Sequence, residues 1–289
     1  MAKISKRTTK WLIASLIIVS VLAIISMFAF NDNLTLSSYN ILTDKINNES
    51  TIRIVLLADL HATMYGADQQ PLLQKIKSQE PDLILLAGDI VVDSIFDTAT
   101  LLFLAGIQDI AAIYYVTGNH EYWGPNADNI QTIRNTILSY GITILSDSYE
   151  QIEVNGNSLI IAGVEDPDKV NAVPEYNQEE SIREAFYNIS DYDCFKILMS
   201  HRPENLNLFS EQSFDLVVSG HTHGGQFRIP FLLNGLYAPE QGLFPEFVGG
   251  MYIYDELTLI ISRGLATHHP RLPRIFNPPE IVTIDLSAS

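Results

Sequence analysis

The sequence predicts an α/β protein in which buried, largely parallel strands alternate with helices, preceded by one long apolar helix. Two observations predict this fold class. Short runs of consecutive apolar residues recur from residue 51 onward, and segments with apolar residues at helical spacing lie between them. Strands that are apolar throughout are typical of sheets covered on both faces, and intervening helices are typical of parallel sheets. With 289 residues and 47% hydrophobic content, the chain can form one large domain or two smaller ones.

Residues 11–30 predict the first helix, because they form an apolar run of 20 uncharged positions. At about 1.5 Å per residue, such a helix spans a hydrocarbon core of roughly 30 Å. Four basic residues precede the run, whereas only Lys45 and Arg53 follow it closely. This asymmetry predicts a single-pass anchor in the cell membrane, with residues 1–10 cytoplasmic and the remainder extracytoplasmic. A cleavable signal peptide is the alternative, although the run is long and no small-x-small cleavage site follows it.

Beyond the apolar run, the chain is strongly acidic. It carries 13 Lys and Arg against 34 Asp and Glu, a net charge of −21, because four of the 17 basic residues precede the run. Such a charge repels nucleic acids, so nucleic acid is not an expected partner. Binding of a phosphate compound would then need a local positive centre, such as a metal ion. Cys194 is the single cysteine, which excludes an intramolecular disulfide and a thiolate zinc cluster.

Residues 31–50 are mostly polar and predict a linker, after which six apolar runs predict the strands of the domain. The runs are TIRIVLLADLH, DLILLAGD, AAIYYVTGNHE, LIIAGVEDP, FKILMSHRP and FDLVVSGHTH, in chain order. Three segments between them have apolar residues on one helical face, namely Leu72, Leu73 and Ile76, then Ile130, Ile133 and Ile137, and then Ile182, Phe186 and Ile189.

Side chains with oxygen or nitrogen donors follow five of these six strands. They are Asp59, His61, Asp89, Asn119, His201, His221 and His223. Sites in open α/β sheets form outside the carboxyl ends of the strands, so we expect these seven side chains to converge on one edge. Residues i and i+2 project to the same side of a strand, which predicts that His221 and His223 point the same way. Each donor alone has a structural explanation, but one metal site explains the whole set.

Five short blocks contain these donors, namely DLH at 59–61, GD at 88–89, GNHE at 118–121, a histidine at 201 and GHTH at 220–223. The series resembles the calcineurin-like metallophosphoesterase superfamily. Within it, GHTHGGQ, YAPEQGLFP, SRGL and FNPPEI resemble the membrane-anchored or exported bacterial branch of YkuE-like or YaeI-like phosphodiesterases. The resemblance covers residues 51–286 and implies a domain of two mixed sheets packed as a sandwich, flanked by helices, with a binuclear metal centre.

The resemblance also implies a role for each donor. Asp59, His61 and His223 would bind the first metal, Asn119, His201 and His221 would bind the second, and Asp89 would bridge both. One carboxylate can span two ions about 3.5 to 4 Å apart. The two divalent ions would be manganese, iron or zinc, all of which accept oxygen and nitrogen ligands.

The implied activity is that of a metal-dependent phosphoric ester hydrolase, in particular a phosphodiesterase, in which a metal-bridging hydroxide attacks phosphorus in line. His120 would protonate the leaving group or stabilise the transition state. Asp93 would orient His120, although it follows Asp89 by four positions where the family usually has three. We interpret the other residues near the motifs as structural or solvated, namely Tyr122, Trp123, Arg202, Arg263, His268 and His269.

The predicted substrate is an envelope or lipid-linked phosphate ester. An apolar, loop-rich segment follows GHTHGG, where it would cover an apolar substrate tail. A phosphomonoesterase, a nucleotide-sugar lipid pyrophosphatase and a non-catalytic metal-binding scaffold of the same fold remain as alternatives. A scaffold is expected to have lost donors or His120, and this chain retains them. We expect the protein to be a monomer.

Overall fold

The computed structural model describes residues 6–47, 50–93, 96–123, 130–267 and 273–289. The described helices are α1 Lys6–Ala29, α2 Gln70–Lys77, α3 Thr98–Ile107, α4 Ile130–Ser139, α5 Gln178–Ala185 and α6 Leu206–Ser210. The described strands are β1 Thr35–Thr43, β2 Thr51–Leu57, β3 Leu83–Ala87, β4 Ala112–Val116, β5 Thr143–Ile144, β6 Ser148–Val154, β7 Asn157–Gly163, β8 Phe195–Met199, β9 Leu216–Ser219, β10 Tyr237–Ala238, β11 Gly242–Leu243, β12 Gly250–Tyr254, β13 Leu257–Ile261 and β14 Glu280–Ala288.

The strands form two six-stranded sheets and one small ribbon, β10–β11. The first sheet has the order β1-β14-β2-β3-β4-β5, and the second has the order β12-β13-β9-β8-β7-β6. Parallel pairs run from β2 to β5 and from β7 through β8 and β9 to β13. Antiparallel pairing of β14 with β2, of β12 with β13 and of β6 with β7 makes both sheets mixed. The prediction of a two-sheet mixed sandwich is confirmed.

Each central strand buries side chains on both faces. In β2, Ile54 and Leu56 face a core shared by the two sheets, whereas Val55 and Leu57 face a second core beneath α2, α3 and α4. Helices α5 and α6 cover the outer face of the second sheet in the same way. Full burial of such a side chain stabilises the fold by roughly 1.5–3 kcal/mol. Burial on both faces is the reason why these strands are apolar at every position.

The predicted linker over residues 31–50 is wrong for its central part. Thr35–Thr43 forms β1, which pairs in parallel with the whole of β14. Its side chains alternate between half-buried and exposed, and Tyr39 and Ile41 pack against the central core. An edge strand with one solvated face carries polar residues at alternate positions, and this composition is easily read as a linker.

Helix α1 is joined directly to the domain. Residues 10–29 form an apolar helical span of 20 residues with a mean hydropathy of 2.8, and nearly all of it is exposed. Length and composition allow this span to cross a membrane, and a signal sequence has the same properties. Ala29 is buried, and its carbonyl accepts a hydrogen bond of 2.7 Å from the Phe276 amide. The end of the helix is therefore attached to the loop that precedes β14.

Candidate metal centre

The turns after five central strands bring the predicted donors together. Asp59, His61, Asp89, His221 and His223 have φ angles of 52°, 45°, 53°, 71° and 48°. Residues other than glycine rarely adopt this left-handed conformation, and such residues cluster at functional sites. The strained turns carry these side chains past the ends of the strands to one common region.

Glycines beside two of the carboxylates allow this close approach. A Cβ atom on Gly118 would overlap the Asp89 carboxylate, and one on Gly220 would lie 2.7 Å from Asp59 Oδ2. The glycines of GNHE and GHTH are therefore required because a larger side chain would collide with a carboxylate, and not because of their backbone conformation.

The first donor group contains Asp59, His61 and His223. The Nε2 atoms of His61 and His223 are 3.2 Å apart, and each lies within 3.8 Å of Asp59 Oδ1. Asp59 is fully buried and also accepts hydrogen bonds of 3.1 Å from the His221 amide. Three ring and carboxylate atoms thus face one small space.

The second donor group contains Asp89, His201 and His221, together with Asn119. His201 Nε2 lies 3.2 Å from each of three atoms: Asp89 Oδ2, Asn119 Oδ1 and His221 Nδ1. His201 Nδ1 donates to the Ala87 carbonyl at 2.8 Å, which orients Nε2 toward the other donors.

His221 and His223 do not act as a pair on one strand face. Strand β9 ends at Ser219, so both histidines lie in the following turn and strand alternation does not orient them. His221 joins His201 in the second group, whereas His223 joins His61 in the first. The prediction that they point the same way is wrong, although both reach the donor cluster.

Asp89 lies between the two groups. Its Oδ2 atom is 3.4 Å from His61 Nε2 and 3.2 Å from His201 Nε2. Its Oδ1 atom accepts a hydrogen bond of 3.0 Å from the His120 amide. Asp89 thus places one carboxylate oxygen close to a histidine ring nitrogen from each group, which is the position expected of a bridging ligand.

Burial and neighbouring charges separate the pKa values of the two groups. Burial lowers the pKa of His61 to about 3, and burial together with His61 lowers the pKa of His223 well below its usual range. Burial also lowers the pKa of His201, but the adjacent Asp89 outweighs it and raises the pKa to about 10. Burial raises the pKa of Asp59 to about 6. For Asp89, burial raises the pKa, but His201 and His61 hold it well below the usual range.

The donors fit metal ions. His61 and His223 have low pKa values, so at neutral pH two unprotonated rings face each other with Nε2 atoms 3.2 Å apart. Two nitrogens bound to one ion at about 2.1 Å are about 3.0 to 3.4 Å apart, because their bonds to the ion make angles of 90–109°. The donor atoms of Asp59, His61 and His223 lie within 4.8 Å of one another, as do those of Asp89, His201 and His221. This spacing fits a cation between the two lone pairs.

His120 lies at the edge of the donor cluster and is half-buried. Its ring is 4.5 Å from the His61 ring and 4.5 Å from Trp123, which is 42% exposed. Its Nδ1 atom is 2.8 Å from Asp93 Oδ1, so the contact forms despite the extra residue in GDIVVD. His120 is therefore oriented by a carboxylate and open to solvent, unlike a core histidine.

Glu121 is a buried framework residue that the sequence analysis does not identify. Its carboxylate accepts hydrogen bonds from the amides of Asp89, Ile90, Val91 and Gly118, at 2.7–3.1 Å. These bonds tie the turn after β3 to the turn after β4. The glutamate of GNHE thus fixes the positions of Asp89 and Asn119 rather than contributing a ligand.

Glu240 is a second missed residue, 19 positions after His221. Its Oε2 atom is 2.5 Å from His221 Nε2, and its Oε1 atom is 3.2 Å from Arg202. A carboxylate bonded to the second nitrogen of a metal-binding histidine fixes the ring orientation and raises its basicity. YAPEQGLFP contains Glu240, but no spacing rule connects it with His221.

The arginines near the site are structural, as predicted. Arg202 is buried and makes two hydrogen bonds to Asp166, at 2.8 and 2.9 Å. Arg263 pairs with Glu280 at 2.6 Å. Arg274, which the sequence analysis does not identify, lies 3.4 Å from His223 Nδ1 and donates to the Arg263 carbonyl.

The remaining predicted positions have simpler environments or are not described. Tyr122 is buried and donates to Glu165 at 2.6 Å, which confirms its structural interpretation. His268 and His269 lie outside the described residues.

Comparison with known proteins identifies a matching family and several relatives. A sequence profile for calcineurin-like phosphoesterases matches residues 52–225, more than half of the chain. The uncharacterized metallophosphoesterase Cj0846 of Campylobacter jejuni is 29% identical over 258 residues, which cover 83% of this chain but only 60% of that protein. Phosphodiesterase YaeI of Escherichia coli is 26% identical over 245 residues, covering 83% of this chain and 84% of YaeI.

Two further matches agree with these. The metallophosphoesterase YkuE of Bacillus subtilis is 27% identical over 246 residues, which cover 82% of this chain and 79% of YkuE. The solved structure of the NAD nucleotidase NadN of Haemophilus influenzae superposes with a TM-score of 0.50 and 16% identity over 75% of this chain and 46% of that chain. The last match shows a shared fold only.

Proposed function

The chain belongs to the calcineurin-like phosphoesterase family and is a metal-dependent phosphoester hydrolase, and we propose that it is a membrane-anchored phosphodiesterase with two metal ions in one centre. The predicted resemblance to YkuE and YaeI is confirmed by the matches to both proteins. The identity of the metals, the roles of individual residues, the division into an anchor and a catalytic domain that includes β1, and the substrate belong to the proposal.

The position of Asp89 carries this proposal. One carboxylate lies within 3.4 Å of a histidine from each donor group, which is the geometry that two ions sharing a ligand require. We assign Asp59, His61 and His223 to one ion, Asn119, His201 and His221 to the other, and Asp89 to both. The motifs in the sequence predict the same assignment.

The proposed ligands would leave the metal-loaded centre with a net positive charge, which attracts phosphate. When bound, two divalent cations would neutralise charge on the phosphoryl oxygens and lower the pKa of a shared water toward neutrality. The proposed ligands include two carboxylates, Asp59 and Asp89, whereas the other five are an amide and imidazoles. The set therefore does not cancel the charge of the ions, which matters in a chain with a net charge of −17.

His120 is proposed to move the proton to the leaving group. It is half-buried beside His61, and Asp93 binds its Nδ1 atom, which would leave Nε2 to face a bound ester. Asp93 would hold the ring in one tautomer and is therefore a positioning residue. Trp123 extends the same edge and offers a flat surface to the substrate.

The anchor favours a lipid-linked or envelope substrate. Helix α1 is long and apolar enough to span a membrane, and Ala29 is hydrogen-bonded to the domain through Phe276. Asn277, the next residue, donates a hydrogen bond of 2.7 Å to the His223 carbonyl. Only these short connections separate the end of the helix from the first donor group. We propose that the N-terminus is cytoplasmic and that the domain lies outside.

Hydrolysis of a defined panel tests the proposed activity. Full-length protein is loaded separately with Mn²⁺, Fe²⁺ or Zn²⁺. It is then offered bis-p-nitrophenyl phosphate, p-nitrophenyl phosphate, a nucleotide-sugar lipid, and phosphatidylglycerol vesicles. We expect diester hydrolysis to exceed monoester hydrolysis, and Asp89→Asn to abolish both.

The outcomes separate the alternatives. Faster monoester hydrolysis would make the protein a phosphomonoesterase. Cleavage of the nucleotide-sugar lipid alone would make it a pyrophosphatase. Stable metal binding without turnover of any ester would favour the non-catalytic scaffold.

A further inference from the structure

The segment after GHTHGG exposes large apolar side chains at two tips. Phe231 is 107% exposed and Leu232 is 84% exposed at the first tip, while Leu243 and Phe244 are 66% and 69% exposed at the second. We call residues 229–244 the apolar loop. Its four exposed side chains present on the order of 500 Å² of surface, comparable with the largest apolar patch of an ordinary monomer.

Hydrogen bonds hold both tips in one folded unit. The amides of Ile229 and Leu233 each donate to the other residue's carbonyl, at 2.9 Å, which closes the first tip. The Phe244 amide donates to the Leu236 carbonyl at 2.8 Å, and the Leu236 amide donates to Gly225 at 2.9 Å. The exposure is therefore a property of a folded loop that is attached two residues after His223.

The apolar loop is nearly free of charge in a very acidic chain. Glu240 is the one charged residue among positions 229–244. Its carboxylate contacts His221 and Arg202 at the metal centre, with distances of 2.5 and 3.2 Å. An uncharged apolar surface within a chain of net charge −17 is suited to a lipid surface rather than to water.

The apolar loop is continuous with the end of α1. The Arg228 amide, just before the loop, donates to the Ile275 carbonyl at 2.9 Å, and the neighbouring Phe276 amide donates to Ala29. Arg228 and Phe231 are three positions apart and span at most about 10 Å. Ala29 is the last residue of the apolar span, so a membrane crossed by α1 would have its surface at this level.

We propose that the apolar loop is a second membrane contact, whose four exposed side chains insert into the leaflet beside Ala29, where α1 leaves the membrane. The contact rests on the proposed anchor and deepens the proposed function, because Glu240 and Gly225 join the loop to the metal centre. A helix and a loop inserted together fix the tilt of the domain, which holds the donor cluster at the level of the lipid headgroups. The loop then contacts the bilayer and does not fold over a substrate tail.

Spin labels on the full-length protein test the contact. Phe231→Cys and Phe244→Cys carry a nitroxide on each tip, Leu22→Cys reports on α1, and Tyr187→Cys is an exposed control after α5. Buried Cys194 stays in place, and the unsubstituted chain serves as the labelling blank. Each protein is reconstituted in phosphatidylcholine and phosphatidylglycerol vesicles. Collision rates with oxygen, which concentrates in lipid, and with a water-soluble nickel chelate are then measured.

We expect the oxygen-to-nickel ratio at positions 231 and 244 to be several-fold above that at 187 and to approach that at 22. Ratios at both tips equal to that at 187, with 22 in lipid, would overturn the contact and leave the anchor intact. Low collision rates with both reagents at the tips would indicate a protein interface, such as a second copy of the chain, and would also overturn it. A water-exposed label at position 22 would overturn the anchor and the contact together.

Discussion

The two halves of the candidate metal centre differ in the protonation of their histidines. The half formed by Asp59, His61 and His223 is built from histidines whose pKa values are lowered by burial, to about 3 for His61. In the half formed by Asn119, His201 and His221, burial lowers the pKa of His201, but the carboxylates of Asp89, Asp59 and Asp166 outweigh it and raise the pKa to about 10. The same residue type thus has opposite protonation in two sites that share Asp89. The difference shows that burial and the neighbouring carboxylates, rather than the residue type, set the pKa of each histidine.

Breaking the connection between the halves has the largest expected effect. Asp89→Asn removes a charge that lies within 3.4 Å of a histidine ring from each group, so we expect hydrolysis to fall on the order of 10³-fold or more. Steady-state kinetics with bis-p-nitrophenyl phosphate measure the loss. Asp44→Asn, in an exposed turn after β1, is the matched control and should be neutral. An Asp89→Asn enzyme within tenfold of the parent would remove Asp89 from the shared position.

Removing the proposed proton donor leaves both halves intact and tests the chemistry at their edge. For His120→Gln, we expect kcat to fall by roughly 10²–10⁴-fold with esters of poorly acidic alcohols, and less with p-nitrophenyl esters, whose leaving group needs little protonation. Metal content should not change. An equal loss for all leaving groups would assign His120 to binding rather than to proton transfer.

The contact between Glu240 and His221 allows one half to be weakened selectively. Glu240→Gln removes the charge that orients His221, so we expect the affinity for one of the two ions to fall by about 10–100-fold. Competition with a fluorescent chelator measures both affinities. Glu246→Gln, on the same segment and exposed, is the control. Equal weakening of both ions would contradict the division into two halves.

The protonation difference predicts different pH dependence for the two ions. Asp59 has a pKa of about 6, so affinity in the first half should level off above that pH. His201 must lose a proton that it holds up to about pH 10, so affinity in the second half should keep rising, by up to about tenfold per unit. Isothermal titration calorimetry at pH 6, 7, 8 and 9 measures the metal affinities of both halves. Parallel curves for the two ions would contradict the assignment.

The raised pKa of His201 also predicts how the stability of the metal-free protein changes with pH. The pKa of His201 is raised above its usual value of 6.5, so protonated His201 stabilises the metal-free fold fully below pH 6.5. This contribution is lost as the pH rises toward 10. Chelated protein should therefore unfold at lower urea concentration at pH 9 than at pH 6.5, and an equal or higher urea midpoint at pH 9 would contradict the raised pKa of His201.

The donor set was predictable because each donor directly follows an apolar run. The runs identify the strands, and the carboxyl ends of neighbouring parallel strands meet at one edge. Asp89 and His201 are far apart in sequence, but β3 and β8 end at the same place. The location of each donor directly after a predicted strand was thus sufficient to predict that all seven donors lie close together.

What the sequence did not reveal depends on turns and long-range contacts. Left-handed φ angles send His221 and His223 to different halves, and no periodicity predicts this. The contact of Glu240 with His221 depends on how the following loop folds back. Strand β1 was not predicted because its edge position permits a polar, alternating sequence.

The metal content of the active full-length protein tests the central claim most directly. Protein loaded to its maximum activity is freed of loose ions and analysed for metal and for protein concentration in the same sample. The shared position of Asp89 predicts two ions per chain at full activity. A maximum of one ion per chain in the fully active protein would contradict the binuclear centre.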